Sequence, residues 1–200
     1  MHTITFSLDF VSPYAYLAFA QLPQALEGCS YIVRHRPVLL GALMQHHGHQ
    51  GPAGIPPKHA WVLRQTRWLA HAHGIPFQLP AVHPFNPLPL LRLSLACADG
   101  EGFINRHVAD TLFRHVWQSG GADAGDAARL AALAATLSLQ RDPAGPEVKA
   151  MLRAHTDAAV AEQLFGVPAF AVDGQQFWGF DALPMLRACL AGDPWFADQG

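Results

Sequence analysis

Phe10-Val11-Ser12-Pro13-Tyr14-Ala15-Tyr16-Leu17-Ala18 decides how the rest of the chain is read. Before it, Ile4 to Asp9 has the character of a short strand; after it, Tyr14 to Leu26 is apolar at helical spacing. Serine is a favoured N-cap because its hydroxyl accepts an N–H that the helix start leaves without a partner. Proline suits the first helical position, where its missing N–H costs nothing. The stretch is therefore a strand, a tight corner and a helix. Glu27-Gly28 ends the helix and Tyr31 to Arg36 returns as a second strand, so residues 1–36 form a βαβ unit.

Outward from that unit, Gln45 to Pro57 is rich in Gly, Pro and His, has neither period, and is expected to be an exposed loop. Five helical segments follow: Ala60 to His73, Leu88 to Ala98, Phe103 to Trp117, Asp126 to Leu139 and Pro146 to Leu164. Breakers such as Gly74-Ile75-Pro76, Asp99-Gly100, Gly120-Gly121 and Asp142-Pro143 separate them, and no strand is expected inside the block. Ala169 to Val172 and Gln176 to Trp178 then flank Asp173-Gly174, a strong hairpin signal, and Asp181 to Leu190 reads as a closing helix. The order is βαβ, helices, ββα. The expected division is one α/β domain over 1–40 and 165–200, carrying an all-helical insertion over 41–164.

The chain has 200 residues, half of them hydrophobic, so a sizeable core is available; its net charge of -2 and charged fraction of 14% provide no basic stripe for a nucleic acid. The start, Met1 to Phe10, lacks the pattern of a secretory signal, and no stretch approaches the roughly 18 apolar residues of a membrane span. A cytoplasmic protein that engages neither membrane nor nucleic acid is expected. Cys29, Cys97 and Cys189 are scattered, without redox or zinc spacing. His46-His47-Gly48-His49, with His59, His71 and His73, invites a metal reading, but no Cys or carboxylate spacing completes a site, and no metal is expected.

Val167-Pro168 directly before the third strand is the thioredoxin arrangement, and a helical insertion in the middle is its DsbA-like variant. The corner motif, Phe165-Gly166-Val167-Pro168-Ala169-Phe170 and Phe177-Trp178-Gly179-Phe180-Asp181 together resemble the signatures of 2-hydroxychromene-2-carboxylate isomerases and their kappa-class glutathione transferase relatives. Gly48-His49-Gln50-Gly51-Pro52, Lys58, Gly74-Ile75-Pro76-Phe77, Asn86-Pro87 and Arg92 extend the resemblance over nearly the whole chain. It implies a thioredoxin-like α/β fold with an all-helical insertion between its βαβ and ββα halves.

In thioredoxin-like oxidoreductases the strand-to-helix corner carries Cys-x-x-Cys, because the helix terminus lowers the pKa of the leading thiol. Here the same positions read Ser12-Pro13-Tyr14-Ala15, so this corner cannot form a disulfide. What it offers is an anion-favouring helix start and a hydroxyl donor, which suits an external thiolate. On the residues alone, Ser12 as a simple N-cap, a trans Val167-Pro168 starting a strand, Asp181 as a capping acid and Lys58 as a solvated lysine remain alternatives.

The resemblance implies glutathione as cofactor. Ser12 would hydrogen-bond its sulfur, Val167 before a cis Pro168 would hold its backbone, and Asp181 with the Phe180 backbone would receive its γ-glutamyl ammonium. Lys58 and His49 would meet its carboxylates, His49 standing where the family usually has Asn. Tyr14 and Trp178 would border the pocket, while Asn86 and Arg92 are candidate donors to the substrate. Phe180 and Ala182 replace a common Gln and Arg, and Gln65 a common Asp. The implied reaction is the glutathione-dependent cis–trans isomerisation of an aromatic hemiketal acid and its unsaturated keto acid. The alternatives are a glutathione transferase or a non-catalytic binding module. A homodimer is implied as well.

Overall fold

The computed structural model describes residues 1–199. Strand β1 (His2–Leu8) leads through the corner into helix α1 (Pro13–Ala25), and strand β2 (Tyr31–Pro37) pairs parallel to β1. Helices α2 (Leu40–His46), α3 (Pro56–Ala72), α4 (Leu88–Ala96), α5 (Arg106–Trp117), α6 (Ala127–Ala135) and α7 (Pro146–Ala161) follow. The chain then returns as the hairpin of β3 (Ala169–Val172) and β4 (Gln175–Trp178) and closes with α8 (Leu183–Leu190). The sheet order is β2-β1-β3-β4, with β3 antiparallel to both its neighbours. This is the expected α/β arrangement of a βαβ half and a ββα half with helices between them.

Several details differ from the sequence expectation: β1 ends before Asp9, α3 begins at Pro56 rather than Ala60, and α6 ends at Ala135 rather than Leu139. Helix α2 enters the segment expected as a loop, and Pro52–Gly54 adds a 3-10 turn to it. No side chain of its own caps α2; Leu39 N–H donates to Thr156 Oγ1 and Leu40 N–H to Asp9 Oδ2. The start of this helix is thus written in distant residues. The segment from Phe103 becomes helical only after Asn105, whose side chain accepts from Val108 N–H, and Ile104 forms a bridge with His35 of β2. The closing helix begins as a 3-10 turn, Phe180–Ala182, before α8. A further 3-10 turn, Pro194–Gln199, ends the chain's described part.

Ile4, Phe6 and Leu8 of β1 point into the core, where Phe6 stacks on Phe170 of β3 with centroids 4.6 Å apart. Helix α1 buries Ala15, Tyr16, Leu17, Ala18, Phe19 and Leu22 against them. Helix α5 repeats apolar residues at three- and four-residue spacing and buries Val108, Leu112, Phe113 and Trp117. Phe113 meets both Phe10 (5.0 Å) and Phe19 (5.1 Å), so α5 packs into the same core as the sheet. Arg36, at the end of β2, is 7% exposed; it forms a bidentate pair with Glu162 and donates to Ser7 Oγ, which ties β2 to α7.

Candidate active site

The site grows from the end of β1. Asp9 is fully buried; its Oδ1 accepts from Val11 N–H at 3.1 Å and its Oδ2 from Leu40 N–H at 3.0 Å. Burial raises its carboxyl to about 7, although N–H bonds from Leu40, Val11 and Phe10 pull the other way. The chain then turns. Trp117 Nε1 donates to the Phe10 carbonyl at 3.1 Å, His83 Nε2 lies 2.9 Å from the Val11 carbonyl, and Ser12 N–H donates to the Asp9 carbonyl at 3.1 Å. Side chains from three parts of the sequence therefore hold the corner.

Ser12 is the N-cap of α1, with extended backbone (φ -86°, ψ 114°), and its Oγ accepts from Ala15 N–H at 3.2 Å. It is 5% exposed. Its hydroxyl donates to the Val167 carbonyl at 3.4 Å, and the Val167-Pro168 peptide is cis. Serine and the cis-proline turn, far apart in sequence, are thus neighbours. Beside them Tyr14 donates from its hydroxyl to Gln65 Oε1 of α3 at 2.6 Å. Burial, and then the Asp181 carboxylate, push the Tyr14 hydroxyl above its ordinary value.

Asp181 is exposed in the turn before α8. Gly179 (φ 102°) precedes it, and a Cβ there would collide with Asp181 Oδ1, so the glycine is what allows the carboxylate to fold back. Phe180 is buried against the edge of His73, at the end of α3. Trp178 is half exposed and packs on Phe165 at 4.8 Å; a Cβ on Gly166 would sit 2.8 Å from its Nε1. His49, exposed, brings Nε2 to 3.4 Å from the Phe165 carbonyl and so reaches the cis-proline turn.

Lys58 is exposed in the first turn of α3, a turn without an acidic residue. Asn86 is exposed and its Oδ1 accepts from Leu88 N–H at the start of α4. Arg92 is half buried on α4, and its Nε is buried without a hydrogen-bond partner. No hydrogen bond or ion pair among the described residues joins Lys58, Asn86 or Arg92 to the corner.

Sequence reasoning missed Asp9, which it placed inside the strand, and it missed His83 and Trp117 as supports of the corner. An acid at the end of an apolar strand, three residues before a Ser-Pro helix start, was a usable signal for Asp9. A cavity of about 550 Å³ lies elsewhere, between β2, the end of α4 and the start of α5, lined by Arg34, Cys97, Phe103, Asn105 and Arg141 among others. It shares no residue with the corner, and its two arginines are already paired, with Glu101 and Glu147.

The corner of this thioredoxin-like fold carries Ser12 and Ala15 where a redox corner has two cysteines, and it faces a cis-proline turn. The chain belongs to the DsbA-like thioredoxin domain family, whose model matches residues 3–191. It is 26% identical over 197 residues to the 2-hydroxychromene-2-carboxylate isomerase of Sphingobium xenophagum, covering 94% of this chain and 97% of that one. It is 26% identical over 203 residues to rat glutathione S-transferase kappa 1, covering 94% and 89%. Among solved structures, a selenomethionine 2-hydroxychromene-2-carboxylate isomerase superposes with a TM-score of 0.79 at 21% identity, over 99% of both chains. The cytosolic disulfide reductase DsbM from Pseudomonas aeruginosa, solved with GSH, has the same fold (TM-score 0.58, 21% identity, 95% and 98% covered).

Proposed function

We propose that this chain is a glutathione-dependent cis–trans isomerase of the 2-hydroxychromene-2-carboxylate isomerase type, working in the cytoplasm on an aromatic hemiketal acid and its unsaturated keto acid. The observation that carries the reading is the Ser12 hydroxyl at the start of α1, 3.4 Å from the Val167 carbonyl. Ala15 stands where a redox corner needs its second thiol.

The residues present fit glutathione. Tyr14 N–H, in the first turn of α1, has no acceptor among the described residues, and with the helix dipole it favours an anion beside Ser12. Val167 offers peptide groups to a peptide ligand. The exposed Asp181 carboxylate suits an ammonium group. Lys58 lies at a helix start, where the dipole disfavours a cation, so an anionic group near it is doubly stabilised. His49, beside the cis-proline turn, is a further polar group, able to donate or accept. Bound glutathione supplies a reversible nucleophile, whose addition to a conjugated double bond lets that bond rotate before elimination.

With glutathione bound, Ser12 would turn its one hydroxyl proton from the Val167 carbonyl to the sulfur, a hydrogen bond that favours the charged form. Tyr14, kept protonated by burial, and the packed pair of Trp178 and Phe165 would supply aromatic surface to a planar substrate. Asn86 and Arg92 remain the proposed donors to the substrate's carboxylate and developing enolate, with the unpartnered Arg92 Nε as support.

The test is a glutathione titration followed by thermal shift. Glutathione should raise the Tm of the wild type, by linkage to the folded state, and the gain should largely vanish in Asp181→Ala. With the keto acid added, glutathione should be recovered unchanged. Absence of any shift in the wild type would overturn the reading; stoichiometric thiol loss would replace the isomerase by a transferase.

A further inference from the structure

The peptide unit that carries Ser12 is pinned at both of its polar ends. Ser12 N–H donates to the Asp9 carbonyl at 3.1 Å, and the Val11 carbonyl receives His83 Nε2 at 2.9 Å. Because a peptide unit is planar and rigid, holding its two ends fixes the axis from which the serine side chain hangs. The Ala15 N–H bond to Ser12 Oγ then leaves the hydroxyl little freedom except for where it donates.

His83 is well suited to this task. A carbonyl only accepts, so Nε2 carries a proton, and the neutral ring leaves Nδ1 as an acceptor. His59 Nε2, on α3, faces that Nδ1 at 3.4 Å, and the two rings are nearly parallel with centroids 5.6 Å apart. Trp117, which holds the neighbouring Phe10 carbonyl, packs on His83 at 5.6 Å. Burial, opposed by the bond to Val11 and assisted by His59, lowers the His83 pKa, which keeps the ring in the neutral form that this chain of bonds requires.

We propose that His83 is a positioning residue for the thiolate chemistry: by donating to the Val11 carbonyl it fixes the Val11–Ser12 peptide plane and so aims the Ser12 hydroxyl at the bound sulfur. The proposal rests on the glutathione reading. It separates two functions of the site, since the Val167 turn and Asp181 would grip the peptide while His83 acts only through the direction of one hydroxyl.

The experiment follows thiolate absorbance of bound glutathione against pH in the wild type, His83→Leu and His83→Gln. Affinity for a thiol-free analogue, γ-glutamyl-α-aminobutyryl-glycine, is measured in parallel. His83→Leu should lower the thiolate fraction at a given pH roughly tenfold, the equivalent of one pKa unit, and leave the affinity for the analogue unchanged. His83→Gln, whose amide can still donate to Val11, should restore most of the thiolate. An unchanged titration in His83→Leu would overturn the proposal, as would loss of the analogue in step with the thiolate or failure of Gln to rescue. If the wild type binds neither glutathione nor the analogue, the glutathione reading falls first and this one with it.

Discussion

Asp9, just past the end of β1, and His35, on β2, are both buried titratable groups, yet their surroundings differ. Asp9 sits at the corner, where Val11 and Leu40 supply N–H donors to both its oxygens. His35 lies between the rings of Phe6 (5.9 Å) and Phe19 (5.6 Å), donates from Nδ1 to the Ile104 carbonyl, and leaves Nε2 buried without a partner. Burial shifts both toward their neutral forms, Asp9 up to about 7 and His35 down to about 4. At the corner N–H donors offset part of the cost of a buried charge, while the His35 pocket leaves one ring nitrogen without any partner.

The largest effect should come from the apolar side of this contrast. Phe113→Ala removes the ring that joins Phe10 and Phe19, leaving a cavity, and should cost about 4 kcal/mol of stability in denaturant unfolding. If the corner is held by its polar clamps, the folded fraction should keep the glutathione affinity of the wild type.

The pH dependence of stability offers a sharper comparison, because the two groups act with opposite sign. Folded Asp9 keeps its proton up to about 7 while the unfolded chain releases it near 4, so this group's contribution declines as pH rises through that window. His35 behaves conversely: between about 4 and 6.5 the unfolded chain binds the proton and the folded chain does not, so its contribution grows with pH. The shifts correspond to about 4 kcal/mol for Asp9 and about 3 kcal/mol for His35. Chemical denaturation across pH should show Asp9→Asn losing the decline and His35→Leu losing the rise; parallel profiles for both variants would remove the distinction.

The smallest stability effect is expected at the site itself. Ser12→Ala deletes the N-cap bond to Ala15 and should cost about 1 kcal/mol, while abolishing the thiolate signal of bound glutathione. A variant that loses stability yet keeps the thiolate would assign Ser12 to capping alone.

The βαβ and ββα halves were legible because their signals are local: Ser12-Pro13 at a helix start and Asp173-Gly174 in a hairpin. Helix α2 was not legible, because its first N–H groups are satisfied by Asp9 and Thr156, the latter 117 residues away in sequence. The candidate site divides in the same way. Ser12, Tyr14, Val167, Pro168, Trp178, Phe180 and Asp181 stand in short motifs that announce themselves. His83, 72 residues from the carbonyl it meets, and Gln65, 51 residues from Tyr14, are joined to the corner only by folding. Gln65 had drawn notice merely as a departure from a common Asp; it proves to be the acceptor for the Tyr14 hydroxyl.

The bridge from Ile104 to His35 has a consequence for the outer rim of the sheet. Strand β2 is an edge, and an open edge is a template on which another chain can polymerise. Here Ile104 N–H already occupies the His35 carbonyl, the exposed Arg34 is paired with Glu101 beside it, and Pro37 has no N–H to give. On the opposite rim β4 offers only four residues. Between them these features guard the sheet against growing by strand addition, a protection against aggregation built from one backbone bond, one ion pair and one proline.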